Sequence, residues 1–184
     1  MKKIFFCYLI ISLFSVCFAS DKDQIIKNFS KTNSLSFNFT QTINGKDESG
    51  KCIIMYPKKI YCKYDLRYNK VLVSNGTSLV IKSDKNKQYY RYALKSTPLN
   101  YLLDKDFILK LIKETKIKIL DKKFFYFSIN ENNQFINIFF DINNFNLIGW
   151  QTLDIYQNLS ITYLSSVSIN KNLKRSLFKL PDRN

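Results

Sequence analysis

The stretch SLSFNFTQ, Ser34–Gln41, decides how this chain folds. Leu35, Phe37 and Phe39 alternate with Ser36, Asn38 and Thr40. A period of two predicts a strand with one apolar and one polar face. Two phenylalanines on the apolar face pose a functional question. Such rings either fill a core or line a hollow that a ligand enters.

Upstream, Asp21 to Thr32 reads as a helix capped by Asp21 or Asp23, with Ile25, Ile26 and Phe29 on one side. Before it stands a basic start, Met1-Lys2-Lys3, followed by an apolar run from Ile4 to Phe18. With Ala19 ahead of the polar stretch SDKDQ, this pattern predicts a secretory signal peptide, residues 1–19, cut after Ala19. The run is shorter than the ~20 residues of a spanning helix. Cys17 follows Val16, where a lipid-attachment site wants a small residue. The expected product is one exported domain, residues 20–184, in a bacterial periplasm.

Downstream, strands follow one another. Gly45 to Gly50 reads as a polar turn, and Lys51 to Tyr56 and Ile60 to Leu66 as a hairpin about Pro57. Lys70 to Ser74 turns through Asn75-Gly76, a tight-hairpin signal, into Ser78 to Lys82, and Gln88 to Tyr92 comes next. At Thr97-Pro98 the pattern changes to helical spacing through Leu99, Leu102, Leu103, Phe107, Ile108, Leu111 and Ile112. Strands resume at Ile117 to Leu120, Phe124 to Ile129, Phe135 to Asp141, Leu147 to Leu153 and Ser160 to Val167, with a last short strand at Leu177 to Leu180. The expected fold class is mainly β with helices: a single curved antiparallel sheet with helices against its hollow side.

The net charge is +15, or +13 without Lys2 and Lys3. The lysines are scattered, with no arginine cluster and no RNA-binding aromatic signature, so nucleic acid is not the expected partner. The chain has no histidine, which removes the commonest general base and metal ligand. It carries no G-x-S-x-G elbow, no glycine-rich phosphate loop and no H-E-x-x-H. Carboxylates such as Asp47, Glu48, Asp84, Asp104, Asp121 and Glu131 fall mostly in turns, and Asp141 and Asp154 at strand ends. The reading is therefore not an enzyme, with no cofactor and no metal. Cys52 and Cys62 remain after the signal. An oxidising compartment permits a bridge, but a simple register sets Cys52 opposite Tyr64.

Aromatic surface is abundant: 29 aromatics in all, 24 of them beyond residue 19. The arrangement of several landmarks resembles the periplasmic outer-membrane lipoprotein carrier (LolA-like) family. After the first helix comes Phe39-Thr40-Gln41. Gly50 and Tyr56-Pro57 follow, then Val71-Leu72-Val73-Ser74-Asn75-Gly76. The helical insert opens Thr97-Pro98-Leu99 and continues Leu102-Leu103. Later come Phe139-Phe140, Leu147-Ile148-Gly149-Trp150, Asp154, Ser160-Ile161-Thr162 and the closing Phe178-Lys179-Leu180-Pro181.

The resemblance implies an unclosed β-barrel, lidded by helices, that carries lipoprotein acyl chains across the periplasm. It implies acylated lipoproteins as cargo, an inner-membrane ABC-type releasing complex as donor and an outer-membrane receptor as acceptor, the carrier itself a monomer. The cavity candidates are Phe37 and Phe39 on the first strand, Ile54, Tyr64 and Leu72 on the next, and Phe125, Phe127, Phe139 and Trp150 late in the chain. Leu99, Leu102, Leu103, Phe107 and Leu111 are the lid candidates. The family places an arginine before the hairpin proline as a lid latch; here Tyr56 holds that position, with Lys51 or Arg67 as neighbouring cations. A lipid-sensing or protein-interaction module of the same fold, and an outer-membrane lipoprotein receptor, are the alternative readings.

Overall fold

The structure is a computed structural model that describes residues 20–65, 69–131, 134–153 and 157–183. The signal-peptide reading, Arg67 and Asp154 lie outside the described residues.

The helix α1, Asp21–Ser30, starts where the sequence suggests and ends two residues sooner, and its cap is neither Asp21 nor Asp23. Ser20 is its N-cap, and Asp23 bonds back to the Ser20 N–H to close a capping box. Ile25 and Phe29, one turn apart, are its buried residues. Six strands follow: β1 Ser34–Ile43, β2 Lys46–Met55, β3 Lys59–Tyr64, β4 Lys70–Asn75, β5 Ser78–Ser83 and β6 Gln88–Ala93. A 3-10 turn at Leu94–Ser96, helix α2 Leu99–Leu102 and helix α3 Lys105–Glu114 form the insert. Five strands complete the sheet: β7 Lys118–Leu120, β8 Phe124–Glu131, β9 Gln134–Asp141, β10 Leu147–Leu153 and β11 Leu159–Ile169.

The strands make one antiparallel sheet in the order β6-β5-β4-β3-β2-β1-β11-β10-β9-β8-β7. Neighbours in space are neighbours in sequence except at β1–β11, where the two halves of the chain meet. The ends β6 and β7 do not pair, so the barrel is unclosed. Leu35, Phe37 and Phe39 are buried on the inner face, as the alternation predicts, and share one core cluster with Ile25, Phe29, Ile108 and Ile112 from α1 and α3.

The polar turn expected over Gly45 to Gly50 is much shorter. Ile43 pairs Lys46, leaving Asn44-Gly45 as a two-residue turn, both at positive φ (+49° and +71°). Asn-Gly is the pair such a tight turn demands. The charged residues beyond it stay in the ladder because they have partners. Thr42 donates to Asp47 at 2.6 Å, and Glu48 pairs with Lys70.

The expected cysteine register is also corrected. Cys52 pairs Cys62 directly, and the two form a disulfide. The connection Tyr56-Pro57-Lys58 is centred on Pro57, one position earlier than a hairpin that sets Cys52 against Tyr64. Closing a loop of this size stabilises the fold by about 2–3 kcal/mol in the chain-entropy account. The strand expected at Leu177 to Leu180 is a 3-10 turn, Arg175–Phe178, packed with buried Phe178 on β3 and β4. Both of those strands already have two neighbours, so no open ladder edge receives the segment.

Candidate functional site

The inner face is unevenly filled. Toward β8–β10 the helices α1 and α3 close onto the sheet, and Phe127, Phe140, Ile136 and Ile138 are at most 1% exposed. Across β1–β6 and parts of β10 and β11, the sheet and α2 instead line an open-sided cavity of about 420 Å³. That volume falls within the ~300–1,000 Å³ of ligand pockets.

The sequence candidates divide along this line. Phe39, Tyr64, Leu72 and Trp150 line the cavity, and Leu99 and Leu102 of α2 roof it. Phe37, Ile54, Phe125 and Phe127 are 1–3% exposed in the packed core, and Leu103 is fully buried there. Phe107 and Leu111 pack part-buried against the core and border a small groove between α3 and β8. Phe139 requires a correction: it lies on the opposite face, in an outer groove of about 370 Å³ with Tyr126 and Tyr163, while Phe140 takes the inward position. The apolar wall includes residues the sequence reading passed over, among them Ile60, Leu79 and the Cys52–Cys62 bridge. Tyr90 and Tyr92 stack at its rim on the edge strand β6. Their alternation with Tyr89 and Arg91 was the available signal.

Gly50 has a local packing role. A Cβ there would sit 2.3 Å from the Lys63 carbonyl oxygen and 2.9 Å from the Phe39 ring. Its absence lets Phe39 lie edge-on against Tyr64, ring centroids 4.9 Å apart.

The roof is tied down by Lys58, not by Tyr56. The Lys58 N–H donates to the Leu103 carbonyl at 2.7 Å. Its Nζ donates to the Asn100 carbonyl at 2.5 Å and to Asn100 Oδ1 at 3.1 Å, and pairs with Asp104 Oδ2 at 2.9 Å. Lys58 sits at φ +67°, and its own carbonyl accepts from Ser74 Oγ, which pins the turn to the sheet. The Tyr56 hydroxyl is buried and has no hydrogen-bond partner among the described residues, while its ring meets Phe29 edge-on. Lys51, the other cation considered, is exposed on the outer face. The Thr97 hydroxyl donates to the Leu94 carbonyl. Helix α3 is anchored separately, its N-cap Asp104 accepting from the Phe107 N–H and its last carbonyls from Lys22 Nζ.

Burial pushes the Tyr56 phenol up, and burial followed by the Glu48 charge does the same for Tyr64. Both hydroxyls stay neutral across the physiological range. The charged form is the disfavoured one, so their stabilisation is complete below the ordinary tyrosine value of 10.0 and falls as pH rises above it. The expected loss is about 1.4 kcal/mol per pH unit for each tyrosine. Melting temperatures between about pH 9 and pH 11 check this, and the Tyr56→Phe, Tyr64→Phe pair should flatten the slope.

Several solved structures are similar to this chain. A LolA superfamily protein from Nitrosomonas europaea is 7% identical with a TM-score of 0.45, over 88% of this chain and 99% of that one. An uncharacterized conserved protein from Thermus thermophilus is 6% identical with a TM-score of 0.50, over 88% and 92%. An outer membrane lipoprotein-sorting protein domain from Vibrio parahaemolyticus is 9% identical with a TM-score of 0.47, over 86% and 95%. No curated protein matches the chain. At the level of sequence, the model of the family described as outer membrane lipoprotein carrier protein LolA matches residues 30–181. The chain belongs to that family.

Proposed function

We propose that this protein is a periplasmic carrier that takes the acyl chains of lipoproteins into the cavity under α2 and moves them from the inner to the outer membrane. The observation that carries the reading is the mostly apolar cavity of about 420 Å³ in a protein whose helices elsewhere pack closely onto the sheet. An apolar cavity of that size in water favours an apolar guest. Each buried methylene contributes ~0.8 kcal/mol, so one fatty chain gains about 10 kcal/mol before ordering and lid opening offset part of it.

The chain contains no nucleotide-binding loop. Loading is therefore driven by the donor, an inner-membrane ABC-type releasing complex. Unloading is driven by tighter binding at an outer-membrane receptor. A carrier between the two holds its cargo with intermediate affinity. It acts as a chaperone for its cargo rather than as a catalyst.

Trp150 makes the test direct, because it is the only tryptophan of the chain and it lines the cavity. A brominated fatty acyl chain is expected to quench its fluorescence saturably, and an unlabelled triacylated lipopeptide to reverse the quenching. Absence of saturable quenching with both the fatty acid and the lipopeptide removes the carrier reading.

A further inference from the structure

The cavity is not apolar along its whole length. Under α2 its wall is Ile60, Leu79, Leu99 and Leu102. At the other end a polar band crosses the inner face, made by Lys70, Glu48, Gln41, Thr162, Ser160 and Thr152. The ladder aligns them: Gln41 faces Glu48 on one side and Thr162 on the other, and Ser160 faces Thr152. The three hydroxyl residues are only 4–8% exposed. A cavity wall built for hydrocarbon alone places apolar side chains at such positions, since a buried hydroxyl costs free energy unless it is bonded.

The band is internally organised. Gln41 Nε2 donates to Ser160 Oγ at 3.0 Å and to Thr162 Oγ1 at 3.1 Å. A hydroxyl that accepts keeps its own proton as a donor. The Gln41 carbonyl faces the Tyr64 hydroxyl at 3.5 Å. The band's two charges cancel, because Lys70 is paired with Glu48 while its ammonium lies 3.9 Å from the centre of the Tyr64 ring. The result is a neutral, donor-bearing band facing an oily chamber.

We propose that this band is a subsite for the ester and amide carbonyls that join acyl chains to a lipoprotein's head group, with the chains lying toward α2. The inference rests on the carrier reading and adds what that reading lacks, a basis for preferring acyl esters and amides over bare hydrocarbon. The Ser160 and Thr162 hydroxyls donate to the carbonyls, and Gln41 holds both hydroxyls in place.

The test compares two ligands on the purified protein: diphenylhexatriene, a hydrocarbon without a carbonyl, and a synthetic triacylated lipopeptide that competes with it. Gln41→Leu and Thr162→Val make the wall more apolar, so they should bind diphenylhexatriene at least as tightly as the wild type and lose about ten-fold in lipopeptide affinity, the worth of one or two hydrogen bonds. Thr162→Ser keeps the hydroxyl and should restore lipopeptide binding, which separates recognition from misfolding. Equal weakening toward both ligands, or unchanged lipopeptide affinity, overturns the subsite and leaves the carrier standing. A wild-type protein that takes neither ligand overturns both.

Discussion

Replacing Lys58 with methionine is expected to speed ligand release by about 30-fold. The substitution keeps the aliphatic stem and removes the ammonium that bonds Asn100 and pairs with Asp104. Both partners of the ion pair are partly exposed, at 24% and 32%, so the pair by itself contributes only ~0–1 kcal/mol. The charged hydrogen bonds to Asn100 add more, giving about 2 kcal/mol for the group. In the proposed carrier cycle α2 lifts and these bonds break, so losing them is expected to raise the open population by that factor of about 30. Stopped-flow recovery of Trp150 fluorescence reads the off-rate.

Asp104→Asn sharpens the same test. Asparagine retains the N-cap bond to the Phe107 N–H and loses the charge. Its effect should be a few-fold, and it should vanish at high salt. Tyr56→Phe should leave release unchanged and the fold no less stable, because the hydroxyl it removes is buried without a partner among the described residues. If Tyr56→Phe accelerates release and Lys58→Met does not, the latch has been assigned to the wrong residue.

The missed latch shows where the sequence stops being legible. The insert itself was readable, since Thr97-Pro98-Leu99 and the leucines after it mark a helical break between strand runs. The latch was not, because it depends on where the Lys58 side chain points after a turn at positive φ. A lysine among 29 basic residues carries no signal of that kind.

The stretch Lys46–Ser49 was hidden for a related reason. Its residues alternate faces like any strand, but both faces are polar there, so hydrophobic periodicity vanishes. Phe139 shows the opposite failure. In β9 the outward residues Phe135 and Phe139 are as apolar as the inward Ile136, Ile138 and Phe140, because an apolar groove lies outside the sheet as well as a core within. Alternation cannot choose a face when both are greasy. By contrast, Ser34–Gln41 has one wet face, and its inward residues are where the pattern put them.

That stretch also supports the second large prediction, which distinguishes two phenylalanines that look alike in sequence. Phe37 and Phe39 are each 3% exposed and lie on the same face of β1. Phe37 meets Trp150 edge-on at 6.1 Å within the packed core. Phe39 borders the cavity and leans on Tyr64 over Gly50. Truncating either to alanine should cost about 3–5 kcal/mol, read as a loss in denaturant midpoint. The consequences for binding should differ. Phe37 lies behind Trp150 and is not itself part of the cavity wall, so a Phe37→Ala variant that still folds should keep near wild-type affinity for acyl chains. Phe39→Ala removes a wall. The void it leaves joins the cavity, the chamber grows, and the Tyr64 ring loses the neighbour that holds it beside Gln41. Acyl affinity should shift, with bulkier or branched chains gaining relative to straight ones. Equal effects of the two substitutions on chain-shape preference would mean that the cavity wall does not run along Phe39.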